Sequence, residues 1–211
     1  MHIELIDTLR CPNPHEDSWL VGAFDRVIDR DIVEGRLGCP MCGSTYEIRG
    51  GVVQFDEAED STGDGAPAPV GADDALRLAA MLDLASPSPG GLVILEGAWA
   101  RAGDMLETFI DARLLLMNPP AGLVEHARMS GVRSRRTIPV AAGSARGIAL
   151  HRATHGDALA TAAVRALRPG GRLVAPVDRP LPPDVQELAR DDQWWVAERS
   201  APPALVTLGR R

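Results

Sequence analysis

The chain has 211 residues, 45% of them hydrophobic, enough for one domain or for a small domain joined to a medium one with a buried core. No apolar run approaches the ~18 residues of a membrane span, and the opening MHIELIDTLRCP carries acids and lacks the apolar stretch of a secretion signal, so the expected setting is the cytoplasm. Of the net charge of −7, residues 1–60 contribute −8 (5 Arg, 13 Asp and Glu) and residues 61–211 contribute +1 (17 Arg, 16 Asp and Glu), and an acidic amino-terminal part argues against nucleic acid as a partner.

The chain holds no lysine, which removes Schiff-base chemistry, and Tyr46 is its only tyrosine. Three cysteines, an odd number, do not make a disulfide framework. In chain order, WLVGAF (19–24) and YEIRGGVVQF (46–55) predict short strands, the second broken by a Gly-Gly turn. Residues 56–72, DEAEDSTGDGAPAPVGA, are acidic and rich in Gly, Ala and Pro, and predict a linker. That divides the chain into 1–55 and 73–211.

Beyond the linker, apolar spacing predicts a helix over 73–85, a buried strand over 91–97, a helix over 100–112 and a strand over 113–120. A helix over 121–131 and strands over 137–143 and 147–153 come next. A helix over 157–171, a strand over 172–177 and two closing strands from residue 193 follow. Strands alternating with helices predict a mostly parallel sheet with an antiparallel ending. Trp194 and Trp195, adjacent in a strand, are expected to point one inward and one outward. The Arg133, Arg135 and Arg136 cluster reads as a solvated loop.

Two close groups of soft donors stand out, Cys11-Pro-Asn-Pro-His15 and Cys39-Pro-Met-Cys42. Cys39 and Cys42 hold half of a zinc site, and Cys11 adds a third thiolate. His15 is the simplest fourth ligand; Glu16 and Asp17 are alternatives, though three thiolates favour a soft partner. Four protein ligands leave no open position, so the Zn2+ is expected to be structural.

The segment LRCP…H…LGCPMCGSTYEIRGGVVQF resembles the small zinc-ribbon family that activates tRNA and translation-factor methyltransferases. The residues that carry the likeness are Leu9, Cys11, Pro12, Leu37, Cys39, Pro40, Cys42, Gly43, Tyr46, Ile48, Gly51 and Val52. The family's second cysteine is absent, with His15 one step further on, and its Pro and Asp are replaced by Glu47 and Gly50.

ALRPGGRLVAPV (166–177) is similar to the helix stop and following strand of class I S-adenosylmethionine-dependent methyltransferases. The two resemblances together imply an α/β protein: a β-rich zinc ribbon, then a Rossmann-like, mostly parallel sheet with flanking helices. The methyltransferase resemblance places the cofactor site at Glu96, Gly97, Trp99, Gly103 and Asn118. Glu96 matches the acid that ends the first strand, and Asn118 falls where an acid holds the ribose. Ala98, Ala100 and Ala102 fall on the three glycines of the cofactor loop, with Trp99 between two of them. Side chains where a nucleoside needs bare backbone imply S-adenosylmethionine binding that is weakened or lost. His151, Arg152 and His155 lie where substrate-side residues usually fall, yet no catalytic residue is assigned. The expectation is a non-catalytic or weakly catalytic interaction or regulatory module whose partner is another protein, with a homo-oligomer compatible. The alternative is an active methyltransferase in which Glu96 and Asn118 still hold the cofactor.

Overall fold

The computed structural model describes residues 1–56, 71–85, 90–108, 110–119, 129–151 and 156–200, leaving aside the side chains of 156 and 157. Most of the expected linker, most of the helix expected over 121–131, Arg152, His155 and the last expected strand lie outside the described residues.

A short 3-10 turn, Ile3–Thr8, opens the chain. Four strands follow, β1 (Val21–Ile28), β2 (Asp31–Gly38), β3 (Thr45–Arg49) and β4 (Val52–Gln54), each antiparallel to the next. Helix α1 (Ala72–Met81) leads to β5 (Leu92–Glu96), a 3-10 segment (Gly97–Ala102), α2 (Gly103–Glu107) and β6 (Arg113–Met117). Then come β7 (Met129–Arg133), β8 (Ala145–Ala149), α3 (Gly156–Ala166), β9 (Leu167–Pro176), β10 (Val185–Arg190) and β11 (Trp194–Arg199).

All strands join one sheet in the order β1-β2-β3-β4-β7-β6-β5-β8-β9-β11-β10. Its middle, β7-β6-β5-β8-β9, is parallel throughout, and β11 closes it antiparallel to both β9 and β10. Numbered by chain order, those five strands run 3-2-1-4-5, the Rossmann order, which reverses between β5 and β8. The sheet is therefore α/β and Rossmann-like. Ligands of such sheets bind outside the carboxyl ends of the strands at the reversal. Here that point lies just beyond Glu96 and Ala149.

Sequence alone left open how residues 1–55 sit against the rest. They extend the same sheet: β4 runs parallel to β7, with Val52, Val53 and Gln54 opposite Gly131, Val132 and Arg133. Thr8 and Arg10 reinforce this joint: the Arg10 amide donates to the Pro139 carbonyl at 2.9 Å and the Ala141 amide to that of Thr8 at 2.8 Å.

Both faces of the sheet are covered. One core joins Leu9, Ile32, Leu37, Ile48 and Val53 to Ile94, Leu115, Ile148, Leu173 and Trp195, under α3 and the opening turn. The other sets Leu78 of α1, Leu82 just after it and Leu106 of α2 on Val93, Leu95, Leu114 and Leu116. β5 is buried at every residue because it is covered on both faces, as parallel strands are. This corrects the reading of the tryptophan pair: Trp195 joins the first core and Trp194 packs against the second.

Other boundaries move as well. The helix expected over 100–112 is a 3-10 segment followed by only five helical residues. Met129 to Gly131, expected as a helix end, begin β7. Of the strand expected over 137–143, only Val140 pairs, in an isolated bridge with Leu9. α3 stops at Ala166, before Pro169, because Leu167 already pairs with Ala145. Residues 168–171 then bulge from the ladder, with Gly170 supplying the expected left-handed turn at φ 73°. Among the described residues no helix is long and apolar enough to cross a membrane.

Candidate metal centre and the crevice at the strand reversal

Cys11, His15, Cys39 and Cys42 are brought together, their ligand atoms all within 4.8 Å of one another. Two loops deliver them. The first follows the opening turn, where the Cys11 amide is held by the Ser18 carbonyl at 3.2 Å. The second is the β2–β3 turn, closed by the Gly43 amide on the Cys39 carbonyl at 2.9 Å, with Gly43 at φ 72°.

The separations fit a tetrahedral ion. Zinc about 2.3 Å from each sulfur sets S···S edges of about 3.8 Å, with slightly shorter S···N edges. Cys11 Sγ lies 3.7 Å from Cys42 Sγ, and Cys39 Sγ lies 3.4 Å from His15 Nε2. His15 Nδ1 sits 2.6 Å from the Glu16 carbonyl, which only accepts, so Nδ1 carries the proton and Nε2 presents its lone pair to the thiolates.

The sulfurs are also prepared electrostatically. The Ser44 hydroxyl, the Ser44 amide and the Asn13 side-chain amide lower the Cys42 thiol to about 5. Burial pushes Cys39 up, but the Cys42 and Met41 amides more than reverse this and leave it below the ordinary value. Burial raises Cys11, whose Sγ lies 3.1 Å from the Tyr46 hydroxyl. The donor set fits Zn2+, and the cluster can hold it. The alternatives Glu16 and Asp17 are not needed; Asp17 instead faces Arg165 at 3.5 Å.

The crevice at the β5–β8 reversal is built differently. Glu96 ends β5 only 3% exposed, and its carboxylate accepts the His151 amide at 2.9 Å. Burial raises its pKa above the ordinary carboxylate value, against the pull of the His151 amide, the Arg179 guanidinium and Asn118. Gly97 follows at φ 63°, and a Cβ there would stand 3.1 Å from the His151 Cβ, so no other residue fits without displacement.

The chain then winds into a tight 3-10 segment in which Ala98, Trp99, Ala100 and Ala102 are all buried. Trp99, 5% exposed, meets the His151 ring edge-on at 6.5 Å and stacks obliquely on Trp194 at 4.9 Å. His151 follows β8 and Trp194 pairs with Pro176 at the end of β9. Three rings thus line up over the carboxyl ends of β5, β8 and β9.

The other expected cofactor residues divide. Asn118, at φ 53°, ends β6 beside Glu96, but its side chain clamps Ser134, donating to its carbonyl and accepting its amide, each at 2.9 Å. Gly103 lies away from the crevice. A Cβ there would come within 2.7 Å of Met129 Sδ and 3.4 Å of Leu116, so this glycine lets α2 close on the sheet. Arg179 was missed: it is 2% exposed in the turn after β9, near Glu96, and its carbonyl accepts the Trp195 indole N–H at 2.8 Å. Nothing in the local run Val-Asp-Arg-Pro distinguishes it from a surface arginine. Of the basic cluster, Arg133 donates to the Pro119 carbonyl and the Arg135 amide to Asp56, so it is partly structural.

No family description and no curated protein matches the sequence. Among solved structures the chain is similar to TrmN from Thermus thermophilus, with 16% identity, 61% of this chain and 48% of that one covered, and a TM-score of 0.45. It is also similar to geranyl diphosphate C-methyltransferase from Streptomyces coelicolor A3(2), with 16% identity, 49% and 44% covered, and a TM-score of 0.40. A third is a putative sarcosine dimethylglycine methyltransferase from Galdieria sulphuraria, with 17% identity, 49% and 45% covered, and a TM-score of 0.39. The chain spans about half the length of these structures.

Proposed function

We propose that this chain is a methyltransferase-like interaction module, held together at one end by a structural zinc ion and without methyl-transfer activity of its own. The observation that carries the reading is the ring cluster over the strand reversal. Trp99, His151 and Trp194 fill the place where a Rossmann-like sheet receives its ligand, and buried alanines replace an open glycine loop. Such a chain keeps the surface of the fold while losing the cofactor, which suits binding to another protein. The zinc ion would be held by Cys11, His15, Cys39 and Cys42, where it neutralises thiolates and ties two loops together.

Calorimetry of the purified chain with S-adenosylmethionine and S-adenosylhomocysteine tests this. No heat of binding at millimolar ligand is expected. A micromolar dissociation constant would refute the reading.

One observation favours the alternative, an active S-adenosylmethionine-dependent enzyme with a remodelled loop. Glu96 keeps a buried carboxylate at the end of β5 with Asn118 beside it. On that reading Trp99 swings out to admit the cofactor, and methyl transfer from labelled cofactor to a cellular acceptor would support it.

A further inference from the structure

Among the described residues the two edge strands of the sheet are β1 and β10, and they present different side chains. β10 presents Gln186, Glu187 and Arg190, with Leu188 46% exposed at a bulge between them, and Glu187 pairs with Arg190 at 2.7 Å. A charged edge of this kind resists pairing with another chain. β1 presents apolar side chains: Val21 is 65% exposed, Val27 44% and Ile28 53%, with Phe24 at 36% and Trp19, just before the strand, at 69%. A long apolar edge left bare is a template for another strand.

The pairing of β1 with β2 says which way its side chains point, since directly opposite residues share a face. Gly22, Phe24 and Val27 lie opposite Leu37, Gly35 and Ile32, on the face of the first core. Ala23, Arg26 and Ile28 lie opposite Arg36, Glu34 and Asp31, on the other face. Asp25 has no partner on β2; it is a bulge, and it puts Asp25 on the same outer side as Arg26, whose guanidinium also pairs with Glu34 at 3.0 Å and would be shared between Glu34 and an incoming carboxylate.

That bulge singles out one register for pairing β1 with itself. In an antiparallel pair where Asp25 faces Arg26 of the second copy, Phe24 faces Val27 on the core side and Ala23 faces Ile28 on the outer side. Both copies form the Asp25–Arg26 contact by symmetry. A slip of one residue either way sets Asp25 against Asp25, or Arg26 against Arg26, and matches Phe24 with a residue of the wrong face. We propose that β1 is the dimerisation edge of this protein, its occupant a second copy in that register, joining the two sheets edge to edge. This gives the interaction module proposed above its first partner. The two readings fail separately, because assembly state reports on the edge and calorimetry on the crevice.

Sedimentation of the full chain is expected to show a dimer. Asp25→Arg and Arg26→Asp each place like charges opposite one another, and each is expected to weaken dimerisation on the order of a hundredfold. Mixing the two variants places opposite charges across the edge again and is expected to restore a heterodimer. Circular dichroism and bound metal should stay unchanged in both, which separates lost pairing from lost folding. A chain that is monomeric at high micromolar concentration overturns the proposal. So does a dimer indifferent to both substitutions, or two variants that remain monomeric when mixed.

Discussion

The cysteine cluster and the strand-reversal crevice, the two places to which the sequence assigns a ligand, are built in opposite ways. At the cluster each of the four donors has a supporting group: His15 the Glu16 carbonyl, Cys42 Ser44 and Asn13, Cys11 Tyr46, and Cys39 the Met41 and Cys42 amides. At the crevice Glu96 holds a buried carboxylate, and Trp99, His151 and Trp194 pack against one another beyond it. The difference teaches that a site is legible as live when its second layer of hydrogen bonds points at an absent ligand. At the crevice those bonds run within the protein, Asn118 holding Ser134 and also bonding Glu96.

Removing the metal should break the comparison hardest. Structural zinc supplies about 10–16 kcal/mol of apparent binding free energy in small sites. Cys39→Ser is expected to abolish stoichiometric zinc by metal analysis. Hydrogen exchange should then show lost protection over β1 to β3, while β5, β6 and β8, buried in both cores, keep theirs. Uniform loss along the chain would mean that the two halves fold as one unit with the metal.

The next largest effect is at the crevice. Trp99→Ala should cost about 3–5 kcal/mol in urea denaturation, because the buried ring belongs to the second core and packs on Trp194. A cost below about 1 kcal/mol would mean that the ring only rests over an open pocket.

How much of this was readable in the sequence follows from how local each signal is. The cluster that could hold a metal was readable because Cys-x-x-Cys and Cys-x-x-x-His fix donor spacing within single turns. The buried strand 91–97 was readable because its apolar run is short and unbroken. β2 and β10 were not assigned: DIVEGRLG and VQELAR mix charge with apolar residues, as strands near an edge do. β7 was hidden because Met-Ser-Gly-Val-Arg has small residues buried by both cores and no alternation. The alanines at 98, 100 and 102 are buried in a 3-10 segment. That Trp99 would meet His151 and Trp194 depends on strand order, which no local pattern contains.

A smaller effect should come from the second layer of the metal centre. Asn13→Ala removes the amide that holds Cys42 Sγ at 3.3 Å and Ser44 Oγ at 2.8 Å. A chelator competition is expected to show zinc bound about 10–100-fold more weakly. Unchanged affinity would mean that the four ligands alone set the site.

The smallest expected effect is a pH dependence. Burial raises the Glu96 pKa in the folded state, so the folded protein binds this proton more tightly than the unfolded chain. The contribution is fully present below the unfolded carboxylate value and is lost as pH rises through the folded one. Relative to Glu96→Gln, the native protein should therefore lose stability as pH rises across that window. Parallel profiles from acid to neutral pH would show that Glu96 is better solvated than its burial implies.

The central claim, a crevice closed by its own aromatic rings, is tested most directly by nuclear magnetic resonance of the tryptophan indole N–H groups during titration with S-adenosylhomocysteine. The account predicts that the Trp99 and Trp194 signals stay in place up to millimolar ligand. A saturable shift of both at micromolar concentrations would contradict it.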